Sequence, residues 1–445
     1  MNNTDKKIIN ELENKITENS EYLDFSGSNT KTLTHGYHTY PAMMIPQLAK
    51  GFIELTQKHN PDIQNIYDPF MGSGTTIVEG IVHGLDSYGI DINPLSLLMT
   101  KAKTTAINPD FLSENIESLK DMIHQDSLNY MMGTHGIENI PDFARIDFWF
   151  KPQVIEALQL IKNNILKFKE EKDIFYFFMA AFSETVRYVS NTRNSEFKLY
   201  RMPKEKLEKW DPNVINIYFD YLKRNYNGNI DLYKELQILD YQPEVIISKG
   251  SNSKSNFEEG TFDLVVTSPP YGDSKTTVAY GQFSRLSLQW LDLEIDEDTK
   301  LNQLDNIMLG GKVDKEVNIS NELKRLDSPT LNKTYEIIKE KDEKRALEVL
   351  QFYIDLDESI KQTARVMKSG SYQYWVVANR TVKRVNIPTD VIISELFRKY
   401  DVDHLHNFYR NIPNKRMPSK NSPTNKIGEK SVTMNAEIIL MLKKK

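Results

Sequence analysis

The chain has 445 residues and a formal net charge of −6, from 56 Lys and Arg against 62 Asp and Glu. It contains no cysteine, which excludes disulfide bonds, thiolate metal ligands and a cysteine nucleophile. With 39% hydrophobic and 27% charged residues, the composition predicts a globular protein. The apolar runs are too short to cross a bilayer, and residues 1–18 show no secretory signal, so we expect a cytoplasmic protein.

The first part of the chain predicts helices and then an alternation of strands and helices. Residues 1–30 indicate a polar helix followed by a loop, and residues 45–55 an amphipathic helix. From residue 63 a strand, a glycine-containing turn and a helix follow one another, and a second strand ends at Asp91 before another helix. Two such units in succession predict neighbouring parallel strands with right-handed crossovers.

The pattern then changes twice more. Residues 108–240 are mostly helical by the spacing of their apolar residues. Residues 294–345 are charged and indicate an irregular insertion or cover. Further strands are expected at 245–247, 262–266, 372–378, 403–409 and 434–442, and further helices at 346–367 and 388–400.

The turn after the first strand is typical of a nucleoside site. Asp68 ends the strand, and Phe70, Gly72 and Gly74 follow in a turn where glycine allows close approach of a ligand. Asp91 lies 17 residues beyond Gly74, at the end of the next strand, where a carboxylate can bind both ribose hydroxyls. The third glycine of a dinucleotide fingerprint and the lysine of a phosphate-binding loop are both missing. An adenosine-type cofactor is favoured over a purely structural turn.

A second motif follows the strand at 262–266. Two consecutive prolines must end that strand, because proline cannot donate a hydrogen bond to the sheet. The Ser268 side chain and the Pro269 carbonyl could accept hydrogen bonds from an exocyclic amine and direct its lone pair at a methyl donor. Tyr271 would stack on an extruded base. The alternative is a strand-ending turn with a packed tyrosine.

These motifs resemble those of the S-adenosylmethionine-dependent DNA amino-methyltransferases. The matching segments are 68–76, 89–94 and 267–271, with weaker matches at 365–370 and 38–42. The resemblance implies an α/β, Rossmann-like methyltransferase with a mixed seven-stranded sheet, plus a mostly helical insertion. It further implies that Asp91 binds the ribose, that Ile92 packs on adenine and that Tyr40 and Pro41 lie near the methionine end. One departure is the segment 248–251, where family members usually carry an acid that touches adenine.

The resemblance implies two sets of site residues. The cofactor set is Tyr40, Pro41, Asp68, Phe70, Gly72, Gly74, Thr75, Asp91, Ile92 and Asn93. The catalytic set is Ser268, Pro269, Pro270 and Tyr271. It also divides the chain into a polar N-terminal segment (1–30), a cofactor-binding part (31–107), a helical insertion that could recognise the target (108–240) and a catalytic part (241–445) that contains the insertion at 294–345.

The missing cysteine separates two reaction classes. Methylation of cytosine C5 needs a thiolate nucleophile, whereas methylation of an amine needs no covalent intermediate. Serine at position 268 is typical of the N4-cytosine enzymes, so we predict a site-specific DNA methyltransferase that flips a cytosine and methylates its N4 amine within a restriction–modification system. Methylation of adenine N6, methylation of guanine N2 in RNA and a non-enzymatic nucleoside sensor stay open. No metal is expected, because the eight histidines show no ligand spacing.

Two basic segments indicate where DNA could bind. Residues 361–430 carry 14 Lys and Arg against 5 Asp and Glu, and a segregated basic face is what phosphate binding needs. The candidate DNA-binding residues are Arg187, Arg193, Lys198, Arg201, Lys415 and Arg416. The alternative for this basic face is a solvated surface with uneven charge. Target recognition is assigned to 108–240 first, then 405–430, then 294–345. The expected partners are double-stranded DNA and a cognate restriction endonuclease, with no membrane.

Overall fold

The fold is described from a computed structural model that covers residues 1–194, 196–273, 277–291, 301–314, 316–412, 420–421, 431–432 and 436–445. Lys415 and Arg416 lie outside these residues. The helices are α1 (Asn3–Glu18), α2 (Pro46–His59), α3 (Thr75–Val82), α4 (Pro94–Thr104), α5 (Pro109–Met131), α6 (Ile146–Trp149), α7 (Pro152–Ile165), α8 (Lys172–Val189), α9 (Lys204–Lys209), α10 (Val214–Gln237), α11 (Tyr280–Leu291), α12 (Leu304–Ile307), α13 (Ile319–Leu326), α14 (Pro329–Lys339), α15 (Glu343–Val366) and α16 (Thr389–Arg398).

The described strands form a central seven-stranded sheet and two small sheets of two antiparallel strands each. The strands are β1 (Asn65–Asp68), β2 (Asp86–Asp91), β3 (Val245–Lys249), β4 (Phe262–Thr267), β5 (Met367–Val377), β6 (Arg380–Val382), β7 (Val385–Ile387), β8 (Val402–Asn411), β9 (Lys420–Asn421), β10 (Ser431–Val432) and β11 (Ala436–Lys444). The large sheet has the order β3-β2-β1-β4-β5-β11-β8. Its first five strands are parallel, and β11 is antiparallel to both β5 and β8. The predicted Rossmann-like α/β fold with a mixed seven-stranded sheet is confirmed.

Strand β5 illustrates how the sheet is covered on both faces. Successive side chains of a strand point to opposite sides, so Tyr374 and Trp375 enter different cores. Tyr374 stacks on Phe52 of α2, with ring centroids 4.4 Å apart. Trp375 meets Phe397 of α16 edge-on at 5.0 Å. The sheet is therefore the middle layer of three, which explains why its central strands are almost entirely buried.

The helices between β2 and β3 form a further core of their own. It is centred on α8, whose Phe178, Ala181 and Phe182 are completely buried. Trp290 of α11 joins this core, although it comes from beyond β4 in the sequence. The mostly helical character expected for residues 108–240 is present, and α11 ties those helices to the strand that carries the proline motif.

Two regions differ from their predicted local structure. Residues 319–339, expected to be irregular, form α13 and α14, and each begins at a capping side chain: Asn318 accepts from the Asn321 amide at 3.1 Å, and Ser328 from the Leu331 amide at 3.1 Å. The N-terminal helix α1 is not simply polar. It buries Ile8 in the core that α2 shares with one face of the sheet. In the described ranges, no helix is both long and apolar enough to span a bilayer.

Candidate active site

A cavity of about 640 Å³ opens at the carboxyl ends of β1, β2, β3 and β4. The strand order reverses between β1 and β4, and such a reversal is where parallel sheets leave a crevice for a ligand. Its volume is in the range of small-molecule sites. Residues from both predicted sets meet in its wall. They are Tyr40, Pro41, Asp68, Phe70, Gly72, Thr75, Asp91, Ile92, Ser268 and Pro270.

The glycine turn after β1 is shaped by two left-handed residues. Gly72 has φ +47° and lines the cavity, and its amide donates to Asp91 at 2.9 Å. Gly74 has φ +79° and is the N-cap residue of α3, but it is not among the lining residues. A Cβ at Gly74 would lie 2.7 Å from the side chain of Thr100. Gly74 therefore allows α3 and α4 to approach each other, and its effect on a ligand would be indirect.

Asp91 is held at the end of β2 by backbone amides. Its Oδ2 accepts from Gly72 at 2.9 Å and its Oδ1 from Asn93 at 2.8 Å. Burial raises the pKa of Asp91 to about 6, although these hydrogen bonds oppose the shift. Each carboxylate oxygen has two acceptor positions, so Asp91 can accept further hydrogen bonds from a ligand in the cavity.

Asp68 joins the ends of two adjacent strands. Its Oδ1 accepts from the Phe70 amide at 3.0 Å and from the Thr267 hydroxyl of β4 at 2.6 Å. The residue is only 3% exposed, and burial raises its pKa to about 6. This contact keeps the glycine turn next to the start of the proline motif.

The wall formed by residues 40–41 is held in place by hydrogen bonds from residues at the start of α4. Tyr40 is buried, and its hydroxyl accepts from the Asn93 amide group at 2.8 Å and from Ser96 at 2.9 Å. Asn93 is fully buried and caps α4 by accepting from the Leu95 amide at 3.1 Å. Asn93, expected to contact the cofactor, does not line the cavity. It instead positions Tyr40, which does.

Two charged side chains of the helical region hold the same wall from outside. Glu184 of α8 accepts from the Thr39 hydroxyl at 3.0 Å. Arg224 of α10 donates to Glu184 at 2.6 Å and to the carbonyl of Tyr37.

Lys103 of α4 is fully buried and donates to the Ser73 carbonyl of the glycine turn at 2.9 Å, and burial lowers its pKa to about 7.

The proline motif contributes unequally to the cavity. Ser268 and Pro270 line it, whereas Pro269 is buried and Tyr271 is half-buried and not among the lining residues. The Tyr271 hydroxyl donates to Glu437 of β11 at 2.8 Å and lies 3.2 Å from the Ser268 hydroxyl. The ring expected to stack on a base is thus engaged with the sheet through its hydroxyl.

Part of the cavity wall has no signal in the sequence. Residues 306–309 line one side, together with Lys312 and with Asp355 and Glu358 of α15. Asp355 accepts from the Gly310 amide at 2.8 Å, and burial raises its pKa. Beyond β3, where an acid is usual in the related family, residues 250–254 form the wall.

The predicted DNA-binding residues fall into different environments. Arg187 is 6% exposed, donates to the carbonyls of Phe283 and Glu196, and stacks on the Phe283 ring at 4.1 Å. Its expected contact with phosphate is therefore wrong, because the guanidinium is used inside the protein. Arg193 is exposed and pairs with Glu196 at 3.1 Å. Lys198 and Arg201 are partly exposed, and Arg201 lies over the ring of Phe148.

The described residues contain no group of three or more His, Asp or Glu side chains arranged to hold a metal ion. Two carboxylates of the cavity, Asp68 and Asp91, are each engaged with backbone amides of the glycine turn or of the segment after β2. They are suited to binding the polar groups of an organic ligand.

Comparisons with known proteins identify the family. No family model matches the chain. The type II methyltransferase M.MvaI of Kocuria varians is 63% identical over 446 residues, which span 100% of this chain and 98% of that protein. The type II methyltransferase M.BsoBI of Geobacillus stearothermophilus is 24% identical over 284 residues, 60% of this chain and 55% of its own. The rRNA methyltransferase aviRa of Streptomyces viridochromogenes aligns structurally over 92% of this chain and 88% of its own, at 10% identity and a TM-score of 0.31. By its similarity to M.MvaI over the whole chain, this protein belongs to the type II DNA methyltransferases.

Proposed function

We propose that the protein transfers a methyl group from S-adenosylmethionine to the N4 amine of a cytosine in duplex DNA, as the modification enzyme of a restriction–modification system. The observation that carries this proposal is the shared cavity, because residues of the glycine turn and of the proline motif line it together. Methyl transfer needs donor and acceptor within bonding reach, and a rigid cavity supplies that positioning.

The residues of the cavity fit S-adenosylmethionine. Asp68 and Asp91 line the cavity and are held in place by hydrogen bonds, and they would face the positive charge and the ribose hydroxyls of this ligand. Asp91 would bind the ribose, Ile92 would pack on the adenine, and Tyr40 and Pro41 would lie near the methionine end. Asp68 would face the positively charged part of the ligand. The cofactor supplies an electrophilic methyl group when bound.

The proline motif would orient the acceptor. An exocyclic amine is a poor nucleophile because its lone pair is delocalised into the base. Hydrogen bonds from both N–H groups to the Ser268 hydroxyl and the Pro269 carbonyl would favour a pyramidal nitrogen and aim the lone pair at the methyl carbon. The base must leave the duplex to reach a cavity beside the sheet. No covalent intermediate is needed, in keeping with a chain that has no cysteine.

A serine at position 268 favours the N4 amine of cytosine as the methyl acceptor, and the N6 amine of adenine is the second candidate. The chemistry is the same for the two amines, and residues 306–309 on the opposite wall would bound the space left for the base. A smaller space selects a pyrimidine and a larger one accepts a purine.

DNA would be contacted by basic residues that are at least partly exposed. Arg193, Lys198 and Arg201 lie in the segment between α8 and α9, and phosphate contacts from such a segment position the duplex without specifying its sequence. We propose the helical region 108–240 as the target-recognition part, with Lys415 and Arg416 as additional backbone contacts. A cognate endonuclease would recognise the same site.

The proposal is tested by identifying the methylated nucleoside. The purified protein is incubated with tritiated S-adenosylmethionine and a mixture of DNA and RNA, and the digested nucleosides are separated. Labelled N4-methylcytosine in DNA is the expected product, and Ser268→Ala should reduce labelling while cofactor binding persists. Labelled N6-methyladenine would select the second candidate. Label confined to RNA would falsify the DNA assignment.

A further inference from the structure

Behind the cavity, three side chains form a continuous hydrogen-bonded chain. The Ser268 hydroxyl lies 3.2 Å from the Tyr271 hydroxyl, which donates at 2.8 Å to Oε1 of Glu437. Ser268 lines the cavity, whereas Tyr271 and Glu437 do not. The chain therefore connects a cavity-facing hydroxyl to a carboxylate on strand β11.

Glu437 is fixed from its other side by an arginine. Its Oε2 forms an ion pair with Arg410 of β8 at 2.5 Å, and the two side chains are 14% and 5% exposed. Arg410 also donates to the carbonyls of Leu23 at 2.9 Å and Asp24 at 3.3 Å. With Oε2 occupied and the guanidinium anchored on three partners, Oε1 is left in one orientation, towards Tyr271.

The direction of every hydrogen bond in this chain follows from the carboxylate. An ionised carboxylate accepts and cannot donate, so the Tyr271 proton must point at Glu437. The Tyr271 oxygen then has only lone pairs to offer, so the bond between the two hydroxyls exists with Ser268 as its donor. As a result, the Ser268 oxygen presents lone pairs, and no proton, to the cavity.

We propose that Glu437 is a positioning residue that holds Ser268 as a hydrogen-bond acceptor towards the cavity, so that the site prefers a base with an amino group over one with a carbonyl oxygen at the same position. This inference rests on the proposed function. An amine N–H pairs with the Ser268 oxygen and leaves the bond to Tyr271 intact, whereas a carbonyl oxygen either stays unpaired or takes the Ser268 proton away from Tyr271. An unpaired buried acceptor weakens binding by about 10- to 100-fold.

Two variants interrupt the chain in different ways. Glu437→Gln replaces the acceptor by an amide that can donate as well as accept, so the direction of the chain is no longer imposed. Tyr271→Phe removes the hydroxyl and leaves the ion pair between Glu437 and Arg410 intact, which guards against an effect on folding alone. Tyr372→Phe is the matched control, because Tyr372 donates to Asp5 at 2.6 Å elsewhere in the sheet.

The experiment measures discrimination between an amine and a carbonyl. The recognition site is first found by sequencing methylated DNA. Duplexes carrying cytosine or uracil at the target position are then titrated with each protein in the presence of S-adenosylhomocysteine. Because the guanine–uracil mismatch eases base extrusion equally for all variants, the ratio of the two affinities is compared with that of the wild type. If adenine is the labelled base, hypoxanthine replaces uracil.

Both chain variants should lose about tenfold of the wild-type preference for the amine. They should also methylate more slowly in a single turnover, with an unchanged dissociation constant for S-adenosylmethionine. Tyr372→Phe should keep the full preference. Wild-type preference in both Glu437→Gln and Tyr271→Phe would overturn the inference and leave the proposed function standing. A wild-type protein that methylates no DNA would overturn the proposed function itself.

Discussion

Asp68 gives a prediction in which stability and cofactor binding move in opposite directions. Both hydrogen bonds described for its side chain end on Oδ1. In Asp68→Asn, the amide oxygen can take that position and keep both bonds, so the substitution removes little besides the negative charge. We expect the variant to be more stable than the wild type at pH 8 and to bind S-adenosylmethionine more weakly.

The magnitude follows from the pKa. Burial raises the pKa of Asp68 from 3.8 to about 6, so between these values the folded protein binds more protons than the unfolded chain. Stability therefore falls as the pH rises through this window, and the full cost of about 3 kcal/mol is present above pH 6. Asparagine carries no such cost. The stability advantage of the variant should be about 3 kcal/mol at pH 8 and should shrink towards pH 4.

Two measurements on the same preparations test this reasoning. Denaturant unfolding of the ligand-free proteins at pH 8, 6 and 4.5 gives the difference in stability, and calorimetry at pH 8 gives the affinity for S-adenosylmethionine. Loss of a charged partner should weaken binding by about 10- to 100-fold. A variant that gains no stability at pH 8 would show that the ionised carboxylate is not costly in the fold. An unchanged affinity would remove Asp68 from the cofactor site.

Three further substitutions probe other parts of the molecule. Asp91→Ala should weaken the affinity for S-adenosylmethionine by about 10- to 100-fold while DNA affinity changes little; equal losses of both would contradict its assignment to the ribose. Gly74→Ala should lower the free energy of unfolding by about 2–4 kcal/mol, because alanine is strained at this left-handed position and its Cβ would also clash with Thr100 of α4. Gly84→Ala is the control: Gly84 is also left-handed but has open space around it, so the substitution should cost about 1 kcal/mol. Replacing Lys415 and Arg416 by alanine should reduce the salt dependence of DNA affinity by about 2 in the logarithmic slope, and an unchanged slope would exclude them from the interface.

The sequence predicts the local structure around the glycine turn because its signals are local. A strand, a glycine turn and a helix occupy adjacent residues, so the geometry around Asp68 and Gly72 is encoded within one short segment. The parallel order of β1, β2 and β4 then brings Asp68, Asp91 and Ser268 to one edge, although they are far apart in the chain. Rules of strand connection are enough to expect this meeting.

The part of the cavity wall that α15 contributes could not be predicted in this way. Asp355 and Glu358 lie within the long helix α15, and nothing in their neighbours distinguishes them from solvated charges. Arg187 shows the converse error. Counting charges places it in a basic segment, but its direction depends on how α8 packs against α11, which only the tertiary structure supplies. The helices at 319–339 are predictable from the sequence, since Asn318 and Ser328-Pro329 are recognisable signals for the start of a helix.

The grip of Glu184 and Arg224 on residues 37–39 has a consequence for the order of events in catalysis. The helices that carry these side chains belong to the region proposed to read DNA, and the segment they hold continues into the cavity wall at Tyr40. If DNA binding shifts α8 or α10, the cavity wall at Tyr40 shifts too, and the affinity for the cofactor proposed to bind there changes. By thermodynamic linkage, cofactor binding then changes the affinity for DNA by the same factor. The enzyme with bound cofactor and the enzyme without it would then have different residence times on each DNA site.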